Sequence, residues 1–131
     1  MNRKQVVGKR GEEIAGEYLE KHGYKLFGKN VRTPHGEIDL VATHVEDEGP
    51  ATLVFVEVKT RTSRTFGYPE EAMTRRKKDH LLDAVAYYLQ NHSEIELDWR
   101  IDVIAISMRA GSQKVEIKHF INAVSVETEG F

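Results

Sequence analysis

The sequence contains no cysteine, which excludes disulfides, thiolate zinc sites and a cysteine nucleophile. It has no apolar run approaching the roughly 18 residues a membrane span requires. Its first ten residues are charged and lack the apolar stretch of a secretory signal. These absences lead us to expect a soluble cytoplasmic protein that does not enter the membrane. Neither sign of charge dominates: 19 Lys and Arg face 21 Asp and Glu, for a net charge of −2. The isoelectric point near 6.3 excludes a uniformly basic nucleic-acid coat, which would sit above about 9. There is no repeat, linker or low-complexity tract. At 131 residues, 40% hydrophobic and 31% charged, the chain suits one domain over 1–131 that buries roughly two-thirds of its unfolded surface. Its core is expected over about residues 5–124.

The near-neutral total conceals an uneven distribution. Residues 1–10 carry Arg3, Lys4, Lys9 and Arg10 with no acid, a local +4. Residues 59–78 carry seven basic residues against Glu70 and Glu71, a further +5, which leaves −11 elsewhere. Two basic islands in an acidic chain provide a local field for a phosphate polymer if the fold brings them together. Solvated surface charge is the alternative.

Hydrophobic periodicity gives the scaffold. Val7, Gly11, Ile14, Ala15, Tyr18 and His22 fall at helical spacing and Gly23 supplies a stop, so a helix is expected over Gln5–Lys21. Strands are expected over Tyr24–Val31, Glu37–Ala42 and Thr52–Lys59, the last being the strongest. Leu81, Ala84, Val85, Tyr88 and Leu89 mark a second helix starting near Glu70, after Pro69. Strands over Arg100–Ile106 and Lys114–Phe120 follow, while Val124–Phe131 shows no clear pattern. The order is helix, three-stranded meander, helix, two strands: an α/β fold in which the second helix crosses over to a strand beside the meander.

Ionisable residues interrupt the most apolar strands. Glu57 and Lys59 share one face, roughly 6.7 Å apart, with Val54, Val56 and Val58 on the other. Asp39 lies among Ile38, Leu40 and Val41. Burying two acids against one lysine costs several kcal/mol, so a further cation is expected. Oxygen ligands without thiolates or clustered histidines point to Mg²⁺ or Mn²⁺. A simple Glu57–Lys59 pair on a wet sheet face is the competing reading.

Gly11-Glu12-Glu13-Ile14-Ala15 with Tyr18-Leu19, then Gly36-Glu37-Ile38-Asp39-Leu40-Val41-Ala42, then Phe55-Val56-Glu57-Val58-Lys59-Thr60-Arg61 resemble, in that order, the YraN-like family of bacterial proteins. Arg100–Ala105 and Ile117–Ala123 continue the resemblance, which spans about residues 5–124. It implies membership of the PD-(D/E)xK superfamily: a restriction endonuclease-like core, a mixed central sheet flanked by helices, similar to Holliday junction resolvases. On that pattern Asp39 and Glu57 are metal ligands, Lys59 is the catalytic lysine and Glu12 is an accessory catalytic and metal-binding acid. Glu12 lies at the edge of the apolar stripe, with Glu13 as the alternative. Other superfamily members write Pro-Asp where this chain has Ile38-Asp39, and some have a helix glutamine where it has Arg75-Arg76-Lys77-Lys78. The implied activity is Mg²⁺-dependent (or Mn²⁺-dependent) endonucleolytic hydrolysis of DNA, structured or branched, in repair or recombination. Resolvase-like relatives act as dimers, so the resemblance carries the expectation of a homodimer.

The expected nucleic-acid contacts are Arg61, Arg64, Arg75, Arg76, Lys77 and Lys78, with Phe66 and Tyr68 as stacking candidates. Tyr87, Tyr88 and Trp99 read as packing residues, and Asp102 as an ion-pair partner of Arg100. Glu37 shares Asp39's face and reads as a supporting group or a solvated acid. His35 reads as a solvated loop residue. None of the six histidines shows metal-ligand spacing, and Gly8–Gly11 is not a phosphate loop. Two non-catalytic readings stand beside the nuclease: a nucleic-acid-binding accessory protein of the same fold, and a protein-interaction domain.

Overall fold

The computed structural model describes residues 2–63, 74–109 and 111–124. Helix α1 spans Arg3–Lys21, two residues earlier than its apolar periodicity indicates. The reason is its cap: the Asn2 side chain accepts from the Gln5 amide at 2.8 Å while the Asn2 amide donates to Gln5 Oε1 at 3.0 Å. Gly23, at φ +86°, turns the chain into the sheet. Strands β1 (Lys25–Thr33), β2 (Gly36–Val45) and β3 (Ala51–Ser63) form an antiparallel meander. Helix α2 (Arg75–Asn91), capped by Thr74, leads to β4 (Asp98–Arg109), which pairs parallel to β3, and β5 (Val115–Val124) closes the order β1-β2-β3-β4-β5. The expected start of α2 at Glu70 lies outside the described residues.

The helices cover opposite faces of the sheet. Ile14, Ala15 and Leu19 of α1 pack on Leu40, Ala42, Val54, Val56, Ile104 and Ile106. Leu81, Ala84, Val85 and Tyr88 of α2 pack on Ile38, Val41, Leu53, Phe55, Ile101 and Val103. A strand covered on both faces reads as an unbroken apolar run, as Leu53-Val54-Phe55-Val56 does. Each of these four is fully buried and contributes roughly 1.5–3 kcal/mol relative to exposure. Among the described residues no helix is long and apolar enough to cross a membrane.

Candidate functional site

The site forms where the sheet splits. Pairing between β2 and β3 runs from Val45–Ala51 to Leu40–Val56 and stops there. On the far side of that point β2 stays with β1 and β3 stays with β4. Asp39 and Glu57 are the first residues past the split. Asp39 Oδ2 accepts the Val58 amide at 2.7 Å, so a side chain replaces the strand carbonyl the ladder no longer provides.

Carboxylates from two elements, α1 and β2, meet at this fork. Oxygens of Glu12, Glu37 and Asp39 lie within 4.8 Å of one another. Helix α1 delivers Glu12 because Gly11 lets it sit directly on β3: a Cβ at Gly11 would lie 1.9 Å from Thr60 Oγ1 and 2.9 Å from Thr60 Cβ. Asn30 joins the group from β1, with its backbone in the left-handed region at φ +48°. Its side-chain amide donates to Glu12 Oε1 at 2.9 Å and to Glu37 Oε1 at 3.0 Å. A neutral donor thus holds two acids side by side without cancelling their charge. Burial, then the charge of Glu57, pushes the Asp39 carboxyl up to about 8; Glu12 and Glu37 act in the same direction against the Val58 hydrogen bond. Burial also raises Glu57, opposed chiefly by Lys59. This oxygen-only set, in which Glu37 has Arg32 at 3.8 Å and Glu57 has Lys59 at 3.2 Å while Asp39 has only a backbone donor, fits a hard divalent cation.

Cations from α1, β3 and α2 stand beside these acids. Lys59 Nζ lies 3.2 Å from Glu57 Oε1. Lys77, from the first turn of α2, sits against Lys59, whose charge, ahead of burial, holds it below the usual lysine range; Lys4 adds to the effect. A cleft of about 770 Å³ is lined by Arg3, Lys4, Glu12, Asp39, Glu57, Lys59, Arg61 and Lys77, among others. Both basic islands of the sequence therefore border one cleft.

Asp39, Glu57, Lys59, Glu12, Arg61 and Lys77 line one cleft, and Glu37 lies with Glu12 and Asp39. Arg75 and Arg76 are exposed on α2 outside the cleft lining. Lys78 is a correction. It is buried, because it falls on the inward stripe one turn before Leu81, and it does not present a surface charge as Lys77 does. Arg64, Phe66 and Tyr68 lie outside the described residues. Tyr88 is buried as expected, whereas Tyr87 and Trp99 are 37% and 39% exposed. Asn30 escaped the sequence reading, since a polar residue in an edge strand carries no distinguishing signal.

Asp102 belongs elsewhere. It is fully buried and accepts from Arg100 Nε at 3.0 Å, His119 Nε2 at 2.7 Å and the Asn122 amide at 2.9 Å. Burial would raise its pKa, but these donors outweigh burial and hold it below the usual carboxylate range. The expected Arg100 pair is present, extended by His119 and, through Arg100, by the Tyr24 hydroxyl at 2.8 Å.

Comparison with known proteins gives the chain its kinship. It is 40% identical over 121 residues to a UPF0102 protein of Syntrophotalea carbinolica, covering 92% of this chain and 93% of that one. It is 45% identical over 117 residues to one from Beutenbergia cavernae, covering 88% and 95%. It is 44% identical over 123 residues to one from Syntrophomonas wolfei, covering 94% and 99%. Among solved structures, Pyrococcus furiosus SfsA in complex with Ca²⁺ is similar over 94% of this chain and 65% of that chain, at 16% identity and a TM-score of 0.39. That likeness is too slight to carry a conclusion. The family model, described as uncharacterised protein family UPF0102, matches residues 11–106. With its motifs, its fold and its relatives in agreement, the chain belongs to family UPF0102.

Proposed function

We propose that this protein is a metal-dependent nuclease that hydrolyses phosphodiester bonds in DNA. One observation carries the reading: carboxylate oxygens of Glu12, Glu37 and Asp39 crowd within 4.8 Å of one another, beside a cleft that Glu12, Asp39 and Glu57 line together with ammonium and guanidinium groups. A divalent cation answers the first feature and a phosphodiester answers the second. Asp39, Glu12 and Glu37, with Glu57 beside them, would hold Mg²⁺ or Mn²⁺. The chemistry such a cation supplies when bound is Lewis-acid stabilisation of charge on a phosphoryl oxygen.

The chain's own groups do the rest. Glu57 fixes the Lys59 ammonium at the cleft wall, where it orients an attacking water or stabilises charge on the phosphorane. Lys77 supplies a second ammonium for a non-bridging oxygen, and Arg3, Lys4 and Arg61 line the path of the flanking backbone. An accessory protein that only binds nucleic acid gains nothing from acids that repel its ligand.

The test is cleavage of duplex, flap and four-way-junction DNA with Mg²⁺ or Mn²⁺. Asp39→Asn or Glu57→Gln should abolish cutting and leave binding equal or tighter; Lys59→Ala should abolish cutting. A wild type as inert as Lys59→Ala on every substrate would sink the nuclease reading in favour of the binding one.

A further inference from the structure

The fork is open on both faces of the sheet. Beside the large cleft on the α1 side lies a second, of about 210 Å³, on the α2 side. Glu57, Lys59 and Lys77 line both and form the wall between them. The small cleft differs in character from its neighbour. Leu81 and Ala84, both buried, give it an apolar component, and the exposed imidazoles of His35 and His80 also line it. Behind His35 stands the half-exposed ring of Tyr87, edge-on with centroids 6.2 Å apart. Glu37 also lines this side, so an uncharged group with N–H or O–H donors suits it better than a second phosphate.

We infer that the small cleft is a nucleotide subsite, holding the sugar and base of a single unpaired nucleotide next to the phosphate at the Glu57–Lys59–Lys77 wall. Size decides what enters. Pockets for drug-sized ligands run from about 300 to 1,000 Å³, so 210 Å³ takes one base and its sugar, and a duplex is excluded. The polynucleotide runs along the larger cleft past Lys4 and Arg61, and the nucleotide at the wall turns through the fork to lie against His35. Substrates with a nucleotide already unpaired avoid the unstacking cost of extracting one. This assignment rests on the nuclease reading for the identity of the phosphate at the wall.

The test uses the full chain carrying Asp39→Asn, a residue outside the small cleft, so that binding is measured without cutting. Three DNAs carry 2-aminopurine: a fully paired duplex, the same duplex with that base unpaired, and a single strand. The unpaired base should bind roughly tenfold more tightly than the paired one, the magnitude of one aromatic stacking contact, with its fluorescence quenched. Adding His35→Ala with Tyr87→Ala, both exposed positions, should erase the preference and the quenching and leave paired-duplex affinity unchanged. Equal affinity for paired and unpaired DNA, or a preference that survives the double substitution, overturns the subsite. Cutting by wild type without the preference refutes the subsite alone. The preference without cutting by wild type supports the subsite and refutes hydrolysis.

Discussion

Asp39→Asn should make the metal-free protein more stable, a direction opposite to most substitutions of buried polar residues. In the wild type, burial and neighbouring acids raise the Asp39 carboxyl from 3.8 to about 8. The folded state thus binds this proton more tightly than the unfolded chain does. Stability contributed by the group is full below pH 4, is lost as pH rises toward 8, and is flat above. At about 1.4 kcal/mol per pH unit the whole displacement bounds the loss at roughly 6 kcal/mol. The cleft admits water, and Glu57, Glu12 and Glu37 share the field, so about a third of that, ~2 kcal/mol, is the expected gain for asparagine at pH 8. Asparagine keeps an acceptor for the Val58 amide, so the strand contact survives. Urea unfolding in EDTA at pH 8 and pH 4 measures the difference, which should vanish at the lower pH. With Mn²⁺ the order should reverse at pH 8: the wild-type Tm rises while that of Asp39→Asn stays. If asparagine destabilises the metal-free protein at pH 8, or stabilises it equally at pH 4, uncompensated charge is not what the fork stores.

Gly11→Ala tests how α1 is seated. Alanine gains about 1 kcal/mol of helix propensity, yet its Cβ would meet Thr60 Cβ at 2.9 Å, and overpacking of this kind costs about 1–3 kcal/mol. A net loss in chemical denaturation, partly recovered by Thr60→Ala, is expected; a stabilised variant would show that α1 shifts freely. Asn30→Asp keeps the shape and tolerates φ +48° but removes both donors, so Mn²⁺ affinity by calorimetry should fall about 10–100-fold despite the added carboxylate. Unchanged or tighter binding would mean that Asn30 does not hold Glu12 and Glu37 in position.

The elements were legible because their periods are physical. Leu81, Ala84, Val85 and Tyr88 could face one way only on a helix, and they do. Extending that same stripe back one turn reaches Lys78, so its burial was readable too; treating Arg75–Lys78 as one basic block obscured the helix phase. Strand ends were less legible, since β3 and β4 remain paired as far as Ser63–Arg109, where ladder hydrogen bonds rather than apolar side chains continue the strand. Asn30 could not be found from sequence. Its role depends on a left-handed backbone beside the fork, and a fork is a property of pairing between strands.

Asp39 and Asp102 show how the same sequence signal divides. Each is an aspartate inside an apolar strand, and each interrupts a run that burial should keep free of charge. What separates them is the supply of donors. Asp102 receives Arg100, His119 and the Asn122 amide, and its pKa is lowered in spite of complete burial. Asp39 receives one backbone amide and faces three other carboxylates, and its pKa is raised. Arg100, two residues from Asp102 on the same strand face, made that partner visible in the sequence. Asp39 had Glu37 in the equivalent place, an acid where a base would have satisfied it. A part-buried acid whose same-face neighbour is another acid lacks a cation on its own strand face, and on the metal-dependent reading a cation from outside the chain would fill that place.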